Sequence, residues 1–321
     1  MVTKQKDLPL RVGISSCLLG EKVRFDGGHK KDRYLTDVLG AYVEWIPVCP
    51  ELEVGMGVPR ESVRLTGPPD NSRMVGIKSN TDWTDKMARF SERRVRQLEN
   101  LHLSGFIFKS DSPSCGMERV RVYAPNGIPA KNGRGVFAAA FMHHFPILPV
   151  EEEGRLNDPG IRENFIVRVF AYHRLQQLVL TGFRRGDLVS FHAAHKYLLL
   201  AHSPRHYQSL GKLVGTAATR THGELQREYS RLFMEALSVR STPKKNVNVL
   251  HHILGFLRGH LTRPEKENIL QVIDDFAREL VPLVVPLTLI RHYIRIYDVP
   301  YIRDQIYLNP HPRELMLRNH V

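Results

Sequence analysis

Residues 103–116 have the sequence LSGFIFKSDSPSCG, and their composition changes abruptly after Phe108. The first six residues are mostly apolar, which predicts a buried β-strand. The remaining eight are small, polar or charged and include a proline, which is typical of a loop. Loops at the carboxyl ends of parallel strands build the binding sites of α/β proteins. The segment therefore predicts an α/β fold with a functional loop around Cys115.

Short apolar runs alternate with helical patterns on both sides of this segment. Residues 10–15, 43–48 and 147–150 are predicted to form further strands, and residues 35–43, 82–101 and 135–144 to form helices. After residue 154 the pattern is helical only, at residues 157–180, 187–202, 223–237, 244–257, 264–281 and 286–296. This order predicts an α/β N-terminal domain, with a mostly parallel sheet and flanking helices, followed by an all-α C-terminal domain.

The length of 321 residues is sufficient for two domains, each with its own core. We predict a first domain at residues 1–155, a connecting helix and linker at 156–186, and a basic helical domain at 187–321. The hydrophobic share of 42% and the charged share of 25% are those of a globular protein. No apolar run reaches the roughly 18 residues of a membrane span, and the N-terminus lacks the apolar core of an export signal. We therefore expect a cytoplasmic protein with no membrane partner.

The chain carries 46 Lys and Arg residues against 33 Asp and Glu residues, a formal net charge of +13. Residues 161–263 hold 16 of the basic but only five of the acidic residues. Such a surplus favours polyanionic partners such as RNA, although a solvated basic surface is the alternative. The residues predicted to contact RNA phosphates are Arg184, Arg185, Lys196, Lys244 and Lys245. The sequence indicates neither an obligate protein partner nor an oligomeric state.

Each of the three cysteines, Cys17, Cys49 and Cys115, follows a predicted strand. They are expected to converge at one edge of the sheet, either as buried thiols or as ligands or nucleophiles. A zinc site would usually show a local Cys-x-x-Cys pair and a fourth ligand, and neither is evident. A four-iron cluster held by only three thiolates would keep one iron without a protein ligand. Such an iron could bind a substrate directly.

Five motifs between about residues 11 and 150 resemble the thiouracil desulfurase family: SCLLGE at 16–21, VRFDGG at 23–28, VCPE at 48–51, PRE at 59–61 and SPSCG at 112–116. The resemblance implies that the three cysteines bind a [4Fe-4S] cluster whose open iron takes the sulfur of a thiocarbonyl base and releases it as hydrosulfide. The second half, with FHAAHK at 191–196 and KKNVNVL at 244–250, resembles the helical domain fused to such desulfurases in many bacteria. The fused form is similar to the tRNA 4-thiouridine desulfidases.

The resemblance therefore implies an iron–sulfur-dependent desulfidase that converts a thiolated uridine of tRNA into uridine and hydrosulfide. Three alternatives stay open. The protein could act on free thiobases or thionucleosides such as 2-thiouracil, or it could be a non-catalytic iron–sulfur regulator that binds nucleic acid. It could also be a cysteine-nucleophile enzyme without a metal.

The motifs also indicate candidate catalytic residues. Glu51 lies two residues after Cys49, and the resemblance assigns the Glu of this Cys-Pro-Glu motif a catalytic role, which we interpret as the activation of water. The alternative for this carboxylate is an ion pair with Arg60. Ser112 is the second catalytic candidate, as a hydrogen-bond donor to the base or to the leaving sulfur. Its alternative role is to shape the turn before Pro113.

Further residues are predicted to bind the substrate: Arg24, Asp26, Gly27, Arg60, Ser110 and Ser114. Asp26 could accept a hydrogen bond from the N3–H of a base, and a turn of purely geometric role is the alternative. Arg60 is expected to contact phosphate. The two serines are neighbours of Ser112 and alternatives to it.

Overall fold

The computed structural model describes residues 8–320, without the side chain of Asp70. A boundary after Asn157 divides the chain into two compact units. The α/β class predicted for the first half and the helical class predicted for the second are both confirmed. The predicted connecting segment, residues 156–186, consists mainly of the helix Pro159–Leu180, which belongs to the second unit.

The described part of the first unit contains eight strands and three α-helices. The strands are β1 (Arg11–Ser15), β2 (Glu44–Val48), β3 (Val63–Thr66), β4 (Arg73–Gly76), β5 (Gly105–Phe108), β6 (Val120–Tyr123), β7 (Pro129–Gly133) and β8 (Val150–Glu152). The helices are α1 (Pro50–Glu53), α2 (Thr84–Glu99) and α3 (Val136–His144). The helix predicted at residues 35–43 is instead a π-helical turn, Tyr34–Val38, followed by a 3-10 turn, Leu39–Ala41.

The first sheet has the strand order β2-β1-β5-β8, and all of its neighbouring strands are parallel. Every residue of β5 is buried, which explains why its sequence is an unbroken apolar run. Gly13 of β1 pairs with Phe106 of β5, and a Cβ at Gly13 would lie only 2.2 Å from the Phe106 ring. The sheet therefore requires glycine at this position. All four strands point their carboxyl ends to the same edge.

A second sheet, which the sequence patterns did not predict, has the strand order β4-β3-β6-β7. Its central strands, β3 and β6, are parallel, with Leu65 paired to Val122, and both outer pairs are antiparallel. Leu65 and Val122 are buried, whereas the alternate residues Arg64 and Arg121 are not. The two sides of this sheet therefore differ sharply in polarity.

The core of the first unit joins the first sheet to two helices. α2 buries Met87, Phe90, Val95 and Leu98, the residues predicted to share one face of this helix. Phe106 and Phe108 of β5 pack against Phe137 and Phe141 of α3, with ring centroids 4.4–6.3 Å apart. This aromatic cluster fixes α3 against the strand that precedes the Cys115 loop.

The second unit is helical throughout its described residues. Its helices are α4 (Pro159–Leu180), α5 (Arg185–His202), α6 (Pro204–Gly215), α7 (His222–Ser238), α8 (Pro243–Leu257), α9 (Arg263–Ala277), α10 (Val284–Ile296) and α11 (Pro300–Arg303). Helices α6 and α11 were not predicted. α9 ends four residues earlier than predicted, because Glu279 adopts a left-handed conformation with φ of 59°. Among the described residues, no helix has the length and apolar composition that crossing a membrane requires.

Two histidines are buried within this helical unit. The Nδ1 of His195 lies 2.7 Å from the carbonyl oxygen of Phe191, and its Nε2 accepts a hydrogen bond from Arg174 at 3.2 Å. The Nδ1 of His202 lies 2.7 Å from the carbonyl oxygen of Val239. Burial lowers the pKa of His195 to about 3 and that of His202 to about 4. Both imidazoles are therefore neutral at physiological pH.

Acidification is expected to destabilise the protein through these two histidines. Their folded-state pKa values lie below the ordinary value of 6.5, so the unfolded chain binds more protons than the folded chain below that pH. The free energy of unfolding should fall by about 1.4 kcal/mol per pH unit for each histidine as the pH drops from 6.5 towards 4. Urea unfolding of the full chain, followed by circular dichroism at several pH values, measures this slope.

A pair of asparagine variants separates this effect from general acid sensitivity. His202→Asn retains a donor for the Val239 carbonyl oxygen and should remove one proton's share of the slope. His252→Asn replaces an exposed histidine and should leave the slope unchanged. Equal slopes in the wild type and in the His202→Asn variant would contradict the assignment.

Candidate functional site

A cavity of about 390 Å³ opens at the carboxyl edge of the first sheet. Cys17, Cys49 and Cys115 all line it, together with residues of β3 and β6 from the second sheet. The three cysteines follow β1, β2 and β5, which are adjacent in the sheet, so the parallel order brings them together. The cavity lies entirely within the first unit.

Local hydrogen bonds fix the backbone at each cysteine. The carbonyl oxygen of Cys17 accepts bonds from the backbone N–H groups of Gly20 and Lys30, at 3.3 and 2.8 Å. The N–H of Cys49 donates to Oε1 of Glu53 at 2.9 Å, at the point where α1 begins. The sulfurs are thus presented by three short, tightly bonded segments, Cys115 being held as described next.

The loop around Cys115 is anchored by the first residues of α3. The N–H of Cys115 donates to Oγ of Ser112 at 3.1 Å. The N–H of Phe137 in α3 donates to the carbonyl oxygen of Ser114 at 3.0 Å. Gly135 permits this close approach, because a Cβ there would lie 2.5 Å from the Ser114 carbonyl oxygen. The aromatic core behind α3 therefore positions this cysteine.

The thiols occupy a poorly solvated environment. Burial raises the pKa of Cys17 to about 11, although the nearby ammonium group of Lys109 opposes the shift. Burial also raises the pKa of Cys49 and Cys115. The side chains of Ser15 and Ser114 form hydrogen bonds with Cys115. Thiols in such surroundings are weak nucleophiles on their own, whereas binding to a metal would favour their deprotonated form.

Glu51 lies at the centre of a hydrogen-bond network in the cavity. Its Oε1 accepts a bond from Oγ of Ser114 at 2.7 Å and lies 3.4 Å from Oγ of Ser112. Its Oε2 pairs with two nitrogens of Arg60, Nε at 3.2 Å and Nη2. The two serine hydroxyls are 3.0 Å apart. The network therefore joins both predicted catalytic residues, Glu51 and Ser112, and gives Ser114 the shorter bond to the carboxylate.

Arg60 is committed to protein partners. Its Nη1 donates to the carbonyl oxygens of Val23 and Gly57, at 3.0 and 2.9 Å, in addition to the ion pair with Glu51. Only 6% of its side chain is exposed. Arg60 therefore positions Glu51, which is the alternative that the sequence left open, and its donors are not turned to a phosphate.

Ser110, a predicted substrate residue, also has protein partners. Its Oγ lies 3.0 Å from Nζ of Lys109 and 2.8 Å from Oε1 of Glu153. Its N–H donates to the other oxygen of the same carboxylate at 2.7 Å. Lys109 forms an ion pair with Glu153, and this pair was not visible in the sequence because 43 residues separate its members.

The predicted loop at residues 24–27 divides into two parts. Arg24 lines the cavity and lies over the ring of Phe25, with Cζ 5.4 Å from the centroid. Asp26 and Gly27 are not among the lining residues. Oδ1 of Asp26 accepts the Gly28 N–H at 3.0 Å, and Gly27 has φ of 74°, which closes the turn. The geometric role of this turn is therefore evident, and base recognition by Asp26 stays a prediction.

The second sheet contributes cavity residues that sequence reasoning missed. Arg64 of β3 and Arg121 and Tyr123 of β6 line the cavity wall. The available signal was the alternation of polar and apolar residues in VRLT at 63–66 and VRVY at 120–123. Each of these strands has only four residues, so the alternation was too short to stand out.

The residues predicted to bind RNA lie in the second unit and differ in how freely they are presented. The side chain of Arg184 is 77% exposed, beside Asp187, and Lys244 is also exposed. Lys245 is held by the carbonyl oxygens of His202 and Arg240, at 2.8 and 3.2 Å. Arg184 and Lys244 are thus the more accessible cations.

Arg185 and Lys196 have protein partners as well. Arg185 donates to the carbonyl oxygens of Ala218 and Arg220, at 3.4 and 3.2 Å. Nζ of Lys196 lies 4.4–5.7 Å from the ring centroids of Tyr197, Phe256 and Tyr301. Both cations therefore stabilise the helical unit at the same time as they contribute to its charge.

The two halves of the chain match two families. The 2-thiouracil desulfurase family matches residues 12–153, and a protein family of unknown function (DUF1722) matches residues 196–312. An α/β unit with three cysteines around one cavity is thus combined with a helical unit of a second family. The chain belongs to the 2-thiouracil desulfurase family through its first half, which confirms the resemblance inferred from the motifs.

Three relatives illustrate the similarity. Uncharacterized protein YbgA of Escherichia coli (strain K12) is 31% identical over 158 residues, 49% of this chain and 94% of YbgA. Uncharacterized protein YbbK of Bacillus subtilis (strain 168) is 31% identical over 111 residues, 32% of this chain and 71% of YbbK. A solved structure of the [4Fe-4S]-dependent thiouracil desulfidase TudS is 28% identical and covers 46% of this chain and 94% of TudS, with a TM-score of 0.39.

Replacing Gly135 by alanine is expected to destabilise the first unit. The new Cβ would lie 2.5 Å from the Ser114 carbonyl oxygen, so the Cys115 loop would have to move away from α3, at a cost of about 1–3 kcal/mol. Both tryptophans of the chain, Trp45 and Trp83, lie in this unit, so urea unfolding followed by tryptophan fluorescence reports on it.

Gly154→Ala is the matched control for this substitution. Its Cβ would make an ordinary contact, 3.7 Å from Oγ of Ser110, and the unfolding midpoint should change little. A Gly135→Ala midpoint equal to that of the control would mean that α3 does not anchor the loop.

Proposed function

We propose that this protein is a tRNA 4-thiouridine desulfidase, which converts a thiolated uridine into uridine and hydrosulfide with the aid of a [4Fe-4S] cluster. One observation carries the proposal: Cys17, Cys49 and Cys115 line the same cavity as the Glu51–Ser114 pair, in a chain of the 2-thiouracil desulfurase family. The cavity thus combines soft sulfur ligands with a carboxylate able to accept a proton.

The arrangement of the cysteines fits a cluster better than a single ion. Among residues 8–320, no three His, Cys, Asp or Glu side chains are grouped closely enough to hold one metal ion. A [4Fe-4S] cluster binds each cysteine at a different iron, so its ligands come from well-separated positions around one space. The hydroxyl of Ser114, 3.7 Å from the sulfur of Cys115, would donate to the bound thiolate. When bound, the cluster would supply an iron without a protein ligand, a Lewis acid for the sulfur of a thiocarbonyl group.

Glu51 is the group that would accept a proton from water. Arg60 holds one oxygen of the carboxylate, and Ser114 and Ser112 bind the other on the side of the cysteines. The carbon of the base gains a bond to the oxygen of water and loses its bond to sulfur, which leaves as hydrosulfide. The exchange involves no net transfer of electrons, so neither an oxidant nor a reductant is needed.

The choice of tRNA as substrate rests on the charge of the second unit. Residues 161–263 hold 16 basic and five acidic residues, and Arg184 and Lys244 present their charges to solvent. Such cations bind phosphates without regard to sequence. The target base would have to leave its stack to enter the cavity. Because the cavity is lined by the first unit alone, turnover of free thiobases is the second candidate function.

Glu51→Gln is expected to lower kcat for thiolated tRNA by about 100-fold or more, because the amide cannot accept the proton of water. Iron and acid-labile sulfide per chain should stay at the wild-type level, since Glu51 is not a cluster ligand. Anaerobic turnover is followed by the decrease in absorbance of the thiolated base in the near ultraviolet.

Two further sets of variants complete this test. Glu99→Gln removes an exposed carboxylate of α2 and should have wild-type activity. Each cysteine, replaced in turn by serine, should lose most of its iron together with its activity. Wild-type turnover by the Glu51→Gln variant, or by a cysteine variant without iron, would refute the proposed chemistry.

The double variant Arg184→Gln, Lys244→Gln is expected to distinguish the two candidate substrates. The loss of two phosphate contacts should lower kcat/KM for thiolated tRNA and reduce its salt dependence by about one logarithmic unit per contact. Turnover of free 4-thiouracil should be unchanged, because neither residue lines the cavity.

Lys266→Gln, an exposed position outside the basic stretch, is the control for this charge effect and should change neither substrate. If tRNA turnover keeps its wild-type salt dependence in the double variant, these two residues do not contact the RNA. An equal loss with tRNA and with 4-thiouracil would indicate damage to the fold instead.

A further inference from the structure

One face of the second sheet places two guanidinium groups in the cavity wall. The parallel register pairs Leu65 of β3 with Val122 of β6, so Arg64 lies beside Arg121. Leu65 and Val122 are buried on one side of the sheet, and the alternate residues lie on the other. Arg64, Arg121 and Tyr123 all line the cavity.

Arg64 has a buried donor without an acceptor. Its Cζ lies 5.3 Å from the ring centroid of Tyr123, and its Nε is buried without a hydrogen-bond partner. Neither Arg64 nor Arg121 is within ion-pair distance of a carboxylate at any described position. A buried, unsatisfied donor is costly and rare, so this guanidinium is poised for an acceptor that the protein itself does not supply.

Other cations of the cavity already have acceptors in the protein. Arg60 is bound to Glu51, and Lys109 to Glu153. The acidic residues that line the cavity are Glu51 and Asp111, against six basic residues: Arg24, Lys30, Arg60, Arg64, Lys109 and Arg121. The cavity wall formed by the second sheet therefore carries uncompensated positive charge, which attracts an anion.

We propose that Arg64 and Arg121 bind a phosphate group of the substrate, with Tyr123 supporting the guanidinium of Arg64. The substrate would then be a phosphate-bearing thiolated nucleotide, free or within RNA, in preference to a free thiobase. A guanidinium group offers parallel N–H donors that match two phosphate oxygens, and its stacking on an aromatic ring leaves those donors free. The proposal rests on the proposed function, because it assumes that the thiolated base enters the same cavity.

The pairing of the phosphate subsite with the cysteines also explains a feature of the cavity. The first sheet lines it with the thiols, and the second sheet lines it with the guanidinium groups. A nucleotide has the same two-part character, a base at one end and a phosphate at the other. A free base would contact only one of these walls.

Binding of sulfur-free ligands tests the subsite without any catalysis. UMP, the trinucleotide UpUpU and uridine would be titrated anaerobically into the cluster-loaded full chain by isothermal titration calorimetry. The wild type should bind at least one of the two phosphorylated ligands about tenfold or more tightly than uridine. Arg64→Gln and Arg121→Gln should each reduce that preference about tenfold, the value of one charged hydrogen bond.

Arg89→Gln is the control for long-range charge, because it removes an exposed arginine of α2 outside the cavity. It should leave the affinities of all three ligands unchanged. Arg121 is exposed, so the Arg121→Gln variant is expected to fold even if Arg64→Gln does not. A loss of affinity for UMP identifies a monophosphate as the ligand, and a loss confined to UpUpU identifies a backbone phosphate; both outcomes support the subsite.

The proposal is overturned if both variants bind UMP and UpUpU with wild-type affinity. It is also overturned if they lose affinity for uridine by the same factor, since the arginines would then support the base and not the phosphate. Failure of the proposed function would look different: the wild type would bind UMP or UpUpU in preference to uridine and yet leave thiolated substrates intact.

Discussion

The parallel pairing of β1 between β2 and β5 is the constraint on which the candidate site depends. Ser15 lies opposite Val48, and Ile14 lies opposite Ile107, so the three strands end together at one edge of the sheet. Each chain segment reaches its cysteine within a few residues of that edge or returns to it through a loop bonded to α3. A shift of one strand by one residue would reverse its side chains and separate the sulfurs.

The two sheets divide the work of the cavity. The first sheet orders the sulfur ligands, and the Glu51–Arg60 ion pair beside them is shielded from water, which strengthens it relative to a surface pair. Breaking this pair by removing Arg60 alone would leave Glu51 without a counter-charge in a partly buried position. The second sheet contributes cations that have no such partner. A rigid acid–base site and a charged binding wall are thus built from separate structural elements.

The sequence predicted the first sheet because its strands are apolar runs of ordinary length, and it predicted the meeting of the cysteines because parallel strands end at one edge. It did not predict the second sheet, since residues 63–66 and 120–123 alternate polarity over only four positions. The bonds of Arg60 to Val23 and Gly57, and of Ser110 to Glu153, depend on loops that come together only in the folded chain. Sequence spacing alone carries no information about such contacts.

The glycine of β1 has a consequence for how this family can change. Gly13 faces the ring of Phe106, and that ring cannot turn aside, because Phe108 and Phe141 lie against it at centroid distances of 4.4 and 4.6 Å. Mutation at position 13 is therefore blocked by a neighbour that is itself blocked. Evolution is free to alter the loops that carry the cysteines, but only around a sheet centre that tolerates no experiment.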